Sequence, residues 1–277
     1  MQPDQTAFLI DGSAYIHRAY HAIQGLANSQ GLPTNAVFGF TRMLIKLMDE
    51  RRPGYAAMFF DSPGPTFRHG LYRDYKANRP PMPDDMAVQI PYIKQIAAAY
   101  RLPVIDMAGY EADDLIGTLC RGLEGQGWSV VMVTGDKDFI QLVSEQASLW
   151  DPMKDAATDL VRVRQTMGIE PRQVIDVMGL SGDTADNIPG VPGIGPKTAL
   201  ELIRTFGSLD SLYAQLDTLP RKKQQENLHR FREQAFLSRE LATIRTDAPL
   251  LIETQALQVQ APDVQVLAGL FRTLEFR

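Results

Sequence analysis

Short apolar runs alternate with segments of helical periodicity through the first half of the chain. Residues 7–10 and 55–60 are continuous apolar runs of strand length, whereas residues 36–48 carry apolar side chains at helical spacing. The same patterns predict further strands at 103–107, 130–134 and 147–150, and further helices at about 84–100 and about 111–123. Strands that alternate with helices predict an α/β domain whose central sheet is mainly parallel and flanked by helices.

Acidic residues follow the carboxyl ends of the first four predicted strands. Asp11 and Asp61 follow the first two, the acids of residues 111–114 follow the third, and Asp136 and Asp138 follow the fourth. Each acid alone has an ordinary explanation in a turn or at a helix N-terminus. Together they lie at the sheet edge where ligands bind, and unneutralised carboxylates there would repel one another. The sequence therefore predicts a site for a hard cation with oxygen ligands, Mg²⁺ or Mn²⁺.

Residues 181–195 combine two more acids with a run of tight turns. Asp183 and Asp186 are spaced to lie on one side of a single turn. The glycines and prolines that follow, up to the apolar helix opened by Pro196-Lys197, resemble the hairpin of a helix-hairpin-helix DNA-binding motif. Glycines let a backbone approach a phosphate closely, and free N–H groups at a helix start bind its charge. This predicts acids joined directly to a grip on a nucleic-acid backbone. The alternative is an ordinary loop before a helix.

A basic, aromatic segment lies between the second predicted strand and the next helix. Its members are Phe67, Arg68, His69, Tyr72, Arg73, Tyr75, Lys76 and Arg79, and prolines border it on both sides. Tyr75 is suited to stack on a splayed nucleic-acid base. A solvated basic loop is the alternative interpretation of this segment.

Length and composition are those of an ordinary globular protein. The 277 residues are enough for one large domain and a smaller one, which we place at 1–168 and 169–277. A single cysteine excludes a disulfide framework, and no signal peptide or membrane-spanning run is recognisable, so a cytoplasmic protein is expected. The formal net charge of −5 does not exclude a nucleic-acid partner. Once the proposed site acids are set aside, the remaining acids are fewer than the 28 Lys and Arg.

Other catalytic chemistries lack their residues. The chain has no Walker-type phosphate loop and no Gly-x-Ser-x-Gly nucleophile motif. Its histidines include His17 and His21 at helical spacing, but no Cys or Glu completes a zinc pattern around them. A role on a helix surface or in packing is the better interpretation of both.

Several motifs together carry a family resemblance. They are Ile10-Asp11-Gly12-Ser13, Phe60-Asp61, Tyr75-Lys76-Ala77-Asn78-Arg79-Pro80, Glu111-Ala112-Asp113-Asp114, Gly135-Asp136-Lys137-Asp138 and the stretch 182–197. In this order and spacing the chain resembles the 5′-nuclease (flap endonuclease) superfamily, and most closely the 5′→3′ exonuclease domains of bacterial DNA polymerase I or a stand-alone relative of them. The resemblance implies a PIN-like or resolvase-like sheet domain with an arch at about residues 64–88, followed by a helix-hairpin-helix subdomain.

The resemblance also implies a mechanism and its residues. It implies hydrolysis of DNA phosphodiesters with two metal ions, leaving a 5′-phosphate and a 3′-hydroxyl, and Lys76, Arg79 and Asp113 as catalytic residues. One Mg²⁺ is expected among Asp11, Asp61, Glu111 and Asp113, and a second among Asp136, Asp138, Asp183 and Asp186, with Asp113 or Asp114 near both. Mn²⁺ is expected to substitute for Mg²⁺, and K⁺ is expected at the hairpin.

DNA contacts are expected from both the arch and the hairpin. The residues are Arg18, Arg73, Tyr75, Lys76, Arg79, Gly190, Gly193, Ile194, Gly195 and Lys197. The expected partner is DNA with a 5′ end, a flap or a nick junction, which the protein would cut during primer removal and repair. The protein is expected to be a monomer associated with the nucleoid. A polymerase domain in the same, longer chain is one option. Two other functions stay open. One is a non-catalytic module that binds DNA structures through the hairpin, and the other is an RNA-cutting nuclease on a similar sheet.

Overall fold

In the computed structural model of the chain, residues 5–276 are described. Residues 1–4 and Arg277, which belong to the predicted ranges 1–168 and 169–277, lie outside the described residues. No helix within 5–276 is both long and apolar enough to cross a membrane.

The centre of the molecule is a six-stranded sheet. Its strands are β1 (Thr6–Asp11), β2 (Tyr55–Phe59), β3 (Val104–Ile105), β4 (Ser129–Val133), β5 (Ala147–Asp151) and β6 (Ala156–Thr158), in the order β3-β2-β1-β4-β5-β6 across the sheet. The first five are parallel and β6 runs antiparallel to β5. The predicted mainly parallel sheet is confirmed. The sequence did not predict β6, since a strand of three residues is too short for a recognisable pattern.

Helices cover both faces of the sheet and make up most of the second half of the chain. In chain order they are α1 (Gly12–Ala22), α2 (Asn35–Arg51), α3 (Phe67–Leu71), α4 (Asp84–Ala87), α5 (Ile90–Ala99), α6 (Ala112–Glu124), α7 (Leu160–Met167), α8 (Val174–Ser181), α9 (Pro196–Phe206), α10 (Leu209–Ala214), α11 (Lys222–Arg230), α12 (Arg232–Ala242) and α13 (Val264–Leu274). Short 3₁₀ helices lie at Lys137–Leu142, Pro171–Gln173, Leu216–Thr218 and Thr254–Leu257.

The helix predicted at about 84–100 is two helices, α4 and α5. Pro91 lies in the first turn of α5 and has no N–H to bond the carbonyl four residues earlier, so a continuous helix is interrupted there. Gln89 lies between the two helices with its side chain buried, and its Oε1 accepts the N–H groups of Ala36 at 2.8 Å and Val37 at 3.1 Å. The interruption thus supplies a cap for α2, because the side chain of the N-cap residue Thr34 does not itself cap the helix.

Alternate residues of the strands face two separate cores. Along β1, Leu9 packs against α6 through Leu115 on one face of the sheet. Ile10 belongs to the core on the other face, together with Phe40 of α2 and Ile93 of α5. A parallel sheet buried on both faces has strands that are continuously apolar, which is why apolar runs located the strands.

A third core lies within helices α8 to α12. It includes Leu180 of α8, Ile203 of α9 and Leu228 of α11. After α12 the chain returns to the sheet, where Ile244 packs in the core beside α6 and Leu267 of α13 packs in the core on the opposite face. The helical region is therefore tied to both faces of the sheet.

Candidate active site

The first two strands end in carboxylates that are fixed by neighbouring helix starts. Asp11 caps α1 by accepting the Ala14 N–H at 2.9 Å, and it accepts the Thr134 hydroxyl, also at 2.9 Å. Asp61 follows β2 and accepts the Ala112 N–H of α6 at 2.8 Å. Asp11 is buried, whereas Asp61 is exposed. Each carboxylate is held in place and keeps further lone pairs as an acceptor.

The start of α6 brings two more acids to the same edge of the sheet. Glu111 is the N-cap residue of α6 and is buried, and its Oε1 lies 2.7 Å from Lys76 Nζ. Asp113 is half-buried and accepts the Asp114 N–H at 2.7 Å. Burial, with the neighbouring carboxylates of Asp114 and Glu111, raises the pKa of Asp113 in spite of the nearby Arg68 guanidinium.

Asp114 is bound within the protein rather than presented to the cleft. Its oxygens accept both terminal nitrogens of Arg68, each at 2.8 Å, the Arg245 N–H at 2.8 Å and the Glu111 N–H at 3.1 Å. Asp114 is 0% exposed and Arg68 is 1% exposed. Four donors use the four lone-pair positions of a carboxylate, so none remains for a metal ion. These contacts contradict the placement of Asp114 among the metal ligands.

The turn after β4 carries Asp136 and Asp138. Asp136 is exposed and caps the following 3₁₀ helix by accepting the Asp138 N–H at 3.0 Å. Asp138 Oδ1 is buried and has no hydrogen-bond partner among the described residues. Burial, together with the carboxylates of Asp136 and Asp183, raises the pKa of Asp138 to about 7. An oxygen in these surroundings is suited to bind a cation.

Lys76 and Arg79 meet acids from two different segments. Lys76 Nζ lies 2.7 Å from Glu111 Oε1 and 3.7 Å from Asp186 Oδ2, and a terminal nitrogen of Arg79 also pairs with Asp186. The Lys76 N–H donates to the Asp186 carbonyl at 2.9 Å. Lys76 has a φ of 55°, an uncommon value for a residue with a Cβ, in the turn that directs its side chain to these acids. The predicted basic segment thus reaches the carboxylates.

Tyr75 is part of this network and not of the surface. It is 3% exposed, and its hydroxyl lies 3.1 Å from both Glu111 Oε2 and Asp186 Oδ2. Its ring packs in the third core, edge-on to His69. Burial and the Glu111 carboxylate raise the pKa of Tyr75, so it remains a neutral donor. The predicted stacking of Tyr75 on a splayed base is contradicted, because neither ring face is open.

Asp183 and Asp186 lie in one loop but serve different neighbours. The loop is closed by backbone bonds between Asp183 and Ile188, of 2.9 Å and 2.7 Å. Asp186 contacts the basic segment, whereas Asp183 accepts the Ala185 N–H at 2.8 Å and lies near enough to Asp138 to raise the pKa of that residue. The loop thereby joins the acids near Glu111 to those near Asp138.

The hairpin presents only some of the predicted DNA-contacting groups. The Gly190 N–H donates to the Ser238 hydroxyl at 3.0 Å, and its carbonyl accepts from Gln234 at 2.6 Å. Gly190 has a φ of 60°, and a Cβ there would lie 2.3 Å from the Gly182 nitrogen. Ile194 is buried, and its N–H donates to the Val191 carbonyl. Gly190 and Ile194 therefore hold the hairpin together, and their prediction as DNA contacts is contradicted by these internal bonds.

The remaining predicted contacts lie at the surface. Gly193, Gly195 and Lys197 are exposed, and Gly195 is the N-cap residue of α9. Arg73 is exposed as well. Arg18 is half-buried and donates to Asp151 at 2.8 Å, beside the turn that leads to Asp136.

The acids are gathered at one edge but are only partly neutralised. Within residues 5–276, no three His, Cys, Asp or Glu side chains are arranged closely enough to enclose a metal ion, and Lys76 and Arg79 neutralise part of the charge. Burial, with the carboxylates of Asp61 and Asp136, raises the pKa of Asp11 to about 7. Crowded carboxylates and a buried oxygen without a donor are ligands of the kind that a hard divalent cation prefers. The chemistry of these side chains therefore fits a divalent metal, and enclosing one requires the acids to move closer together.

Sequence reasoning missed two residues that support these acids, Arg68 and Gln141. Arg68 belongs to the basic segment, and its burial distinguishes it from the exposed Arg73. Gln141 is buried in the 3₁₀ helix that follows Asp138. Three-residue spacing from Asp138 is the one local signal that could have drawn attention to it.

An oxygen-rich cleft faced by lysine and arginine suits phosphate esters, because the acids bind cations and the basic groups neutralise phosphate. On a parallel sheet joined to an exposed glycine hairpin, this cleft indicates a nuclease. The particular kind of nuclease follows from comparison with known proteins.

A family model described as the 5′-3′ exonuclease N-terminal resolvase-like domain matches residues 6–177, and one described as the 5′-3′ exonuclease C-terminal SAM fold matches residues 169–265. The chain therefore belongs to the 5′-3′ exonuclease family. The 5′-3′ exonuclease of Aquifex aeolicus is 37% identical over 99% of this chain and 93% of that protein. DNA polymerase I of Bacillus caldotenax is 40% identical over 97% of this chain, which spans 31% of that relative.

Solved structures share the fold. A T5 5′-exonuclease structure with divalent zinc ions bound has a TM-score of 0.73, at 22% identity, and covers 98% of both chains. A T5 D15 flap endonuclease complex with DNA and metal ions has a TM-score of 0.72, at 20% identity, and covers 98% of this chain and 100% of that one. The predicted resolvase-like sheet domain with a helical region, and the predicted nuclease class, are confirmed.

Proposed function

We propose that the protein is a divalent-metal-dependent 5′→3′ exonuclease and 5′-flap endonuclease that hydrolyses DNA phosphodiesters to a 5′-phosphate and a 3′-hydroxyl. One observation carries the proposal. Lys76, from the basic segment, lies 2.7 Å from Glu111 and 3.7 Å from Asp186, so cationic side chains and carboxylates from distant parts of the chain face the same cleft. Both kinds of group are needed at a phosphodiester that is to be cut.

The acids divide into two groups that would each hold Mg²⁺, with Mn²⁺ as a substitute. The first group is Asp11, Asp61, Glu111 and Asp113, and the second is Asp136, Asp138, Asp183 and Asp186. Bound divalent ions at such a site lower the pKa of water and neutralise charge on the phosphodiester. Asp114 is removed from both groups, because its oxygens are used by Arg68 and by backbone N–H groups.

Lys76 and Arg79 act on the scissile phosphate. When DNA enters, they exchange their carboxylate partners Glu111 and Asp186 for phosphate oxygens, and the released carboxylates then become available to metal. Tyr75 holds Glu111 and Asp186 in position through its hydroxyl, 3.1 Å from each. The basic groups thus stabilise the carboxylates before DNA binds and the transition state afterwards.

The hairpin holds the duplex. Gly193 and Gly195 bring the backbone to a phosphate at the start of α9, where Lys197 adds positive charge, and K⁺ binds beside them. Arg18 and Arg73 contact the strand near the cleft. The partner is DNA with a 5′ flap, a nick or a free 5′ end, bound by a monomer during primer removal and repair. In a longer chain a polymerase domain would use the nicks that this activity processes.

The test is cleavage of a labelled 5′-flap duplex with Mg²⁺, with and without EDTA, followed by mapping of the product ends. We expect cleavage near the junction that EDTA abolishes, and a 5′-phosphate on the downstream product. Matched flaps of DNA and RNA distinguish the substrates. Tight flap binding without any metal-dependent product would instead identify a DNA-structure-binding module, and faster cutting of RNA would identify a ribonuclease.

A further inference from the structure

Residues 241–245, which we call the strap, are the last two residues of α12 and the three residues that follow it, where the chain returns to the sheet. Side chains of other segments bond its backbone. Arg68 donates to the carbonyls of Leu241 at 2.9 Å and Thr243 at 3.0 Å. Gln141 donates to the Ala242 carbonyl at 3.0 Å and accepts the Ile244 N–H at 2.9 Å. Asp114 accepts the Arg245 N–H at 2.8 Å. The strap is therefore positioned by side chains and not by a neighbouring strand.

Each side chain that bonds the strap also bonds a segment that carries site acids. Arg68 forms a two-pronged ion pair with Asp114, whose carboxylate also accepts the Glu111 N–H at 3.1 Å. Gln141 donates to the Asp138 carbonyl at 2.9 Å in addition to the strap. The strap thus joins the start of α6, with Glu111, to the turn that holds Asp138.

The ion pair between Arg68 and Asp114 contributes more to positional accuracy than to stability. Arg68 and Asp114 are 1% and 0% exposed, and a buried ion pair is often no more stabilising than apolar residues of the same size. Its two parallel hydrogen bonds, however, fix both direction and distance. The strap also continues from α12, which packs along α8, the helix that leads into Asp183 and Asp186.

We propose that the strap sets the separation between the two groups of site acids, and that Arg68 and Gln141 are positioning residues for divalent metal binding. The inference rests on the proposed function, because it assigns the acids to metal. Neither residue would touch substrate or metal. Gln141 acts through the backbone that carries Asp138. Arg68 acts through the start of α6, where its guanidinium also lies 3.5 Å from the Glu111 carboxylate and 3.9 Å from the Asp113 carboxylate. The loss of either residue should change metal affinity as well as stability.

The first test compares Gln141→Leu with Gln89→Leu. Gln89 is a matched control, because it is also buried and also bonds backbone groups through both ends of its amide, but near α2 and α5. Three quantities are measured for each variant: melting temperature, affinity for Mn²⁺ alone by calorimetry without DNA, and single-turnover cleavage at saturating Mg²⁺. We expect both variants to melt lower, and only Gln141→Leu to bind Mn²⁺ about tenfold more weakly and to cut more slowly.

The second test uses Arg68→Lys and Arg68→Met. Lysine keeps the charge next to Asp114 but cannot form the two-pronged pair or reach both carbonyls of the strap. We expect Arg68→Lys to fold and to bind Mn²⁺ about tenfold more weakly than the parent, and Arg68→Met, where it folds, to be weaker still. Arg68→Lys keeps the test available if Arg68→Met does not fold.

The outcomes separate the two proposals. A parent protein that neither binds Mn²⁺ nor cuts flap DNA would overturn the proposed function, and with it the inference. A parent that binds and cuts, with Gln141→Leu and Gln89→Leu equal to each other in Mn²⁺ affinity and cleavage rate, would overturn only the positioning role. Parent-like Mn²⁺ affinity in Arg68→Lys would overturn the role of Arg68.

Discussion

Replacing Asp11 by asparagine should stabilise the metal-free protein at neutral pH. Burial, with the carboxylates of Asp61 and Asp136, raises the pKa of Asp11 from 3.8 to about 7, although hydrogen bonds from Ala14 and Thr134 oppose that rise. At about 1.4 kcal/mol for each pH unit, the ionised carboxylate costs the fold about 4 kcal/mol. Asparagine keeps the shape and remains a good N-cap residue for α1, so we expect a gain of about 2 to 4 kcal/mol.

The sign of the pH dependence follows from the direction of the pKa change. Because the pKa of Asp11 is higher in the folded protein than in the unfolded chain, the folded protein holds an extra proton between about pH 4 and about pH 7. The stability of the parent should therefore fall through this window and level off above it. The Asp11→Asn variant lacks this contribution. Its stability advantage in EDTA, measured by urea unfolding, should grow by about 3 kcal/mol from about pH 5 to about pH 8.

Asp263→Asn is the control for the asparagine cap itself. Asp263 caps α13 by accepting the Val266 N–H at 3.1 Å, and its backbone has the same φ of −77° and ψ of 91° as Asp11. It lies away from the carboxylate cleft and should show no growing advantage. An advantage of Asp11→Asn that is equal at both pH values, or shared by the control, would refute the argument that burial and crowding destabilise Asp11. Added Mg²⁺ should stabilise the parent more than the variant.

Three further outcomes are expected. Lys76→Ala should lower the single-turnover cleavage rate about a hundredfold while flap binding in Ca²⁺ changes much less, and an unchanged rate would remove Lys76 from the site. Lys197→Ala should weaken duplex binding evenly across sequences. In filter-binding titrations the slope of the logarithm of the binding constant against the logarithm of salt concentration should become shallower by about one, whereas a strongly sequence-dependent loss would contradict phosphate contact. Tyr15→Phe should be neutral or stabilise by up to about 1 kcal/mol in chemical denaturation, because the buried Tyr15 hydroxyl has no hydrogen-bond partner among the described residues; a clear loss of stability would reveal one.

The strands and the acids that follow them were predictable because both depend on local pattern. A strand buried on both faces is continuously apolar, and an acid directly after it must lie at the carboxyl edge of the sheet. The family resemblance implied only that Lys76 and Arg79 act at the scissile phosphate. Their contact with the acids was not predicted, since nothing local indicates that the basic segment folds onto the loop of Asp186.

The side chains that the sequence misplaced are those whose environment depends on distant partners. Asp113 and Asp114 are adjacent on α6 and therefore point about 100° apart, so one can face the cleft while the other is buried. Which one is buried depends on Arg68, 46 residues away. Tyr75 likewise is a residue type that often stacks on bases, but its hydroxyl donates to Glu111, 36 residues away.

The strap has a consequence for how this chain can be divided. The two family segments overlap at residues 169–177, which makes that point an obvious place for truncation or for exchange between relatives. A fragment ending there would lose the carbonyls that Arg68 and Gln141 bind and would uncover the core beside α6 that Ile244 completes. Chimeras joined at this point should therefore be productive only when residues 68, 114 and 141 are inherited from the same parent as residues 241–245. Chimeras that are joined at residues 169–177 but take residues 68, 114 and 141 from one parent and residues 241–245 from the other should fold poorly.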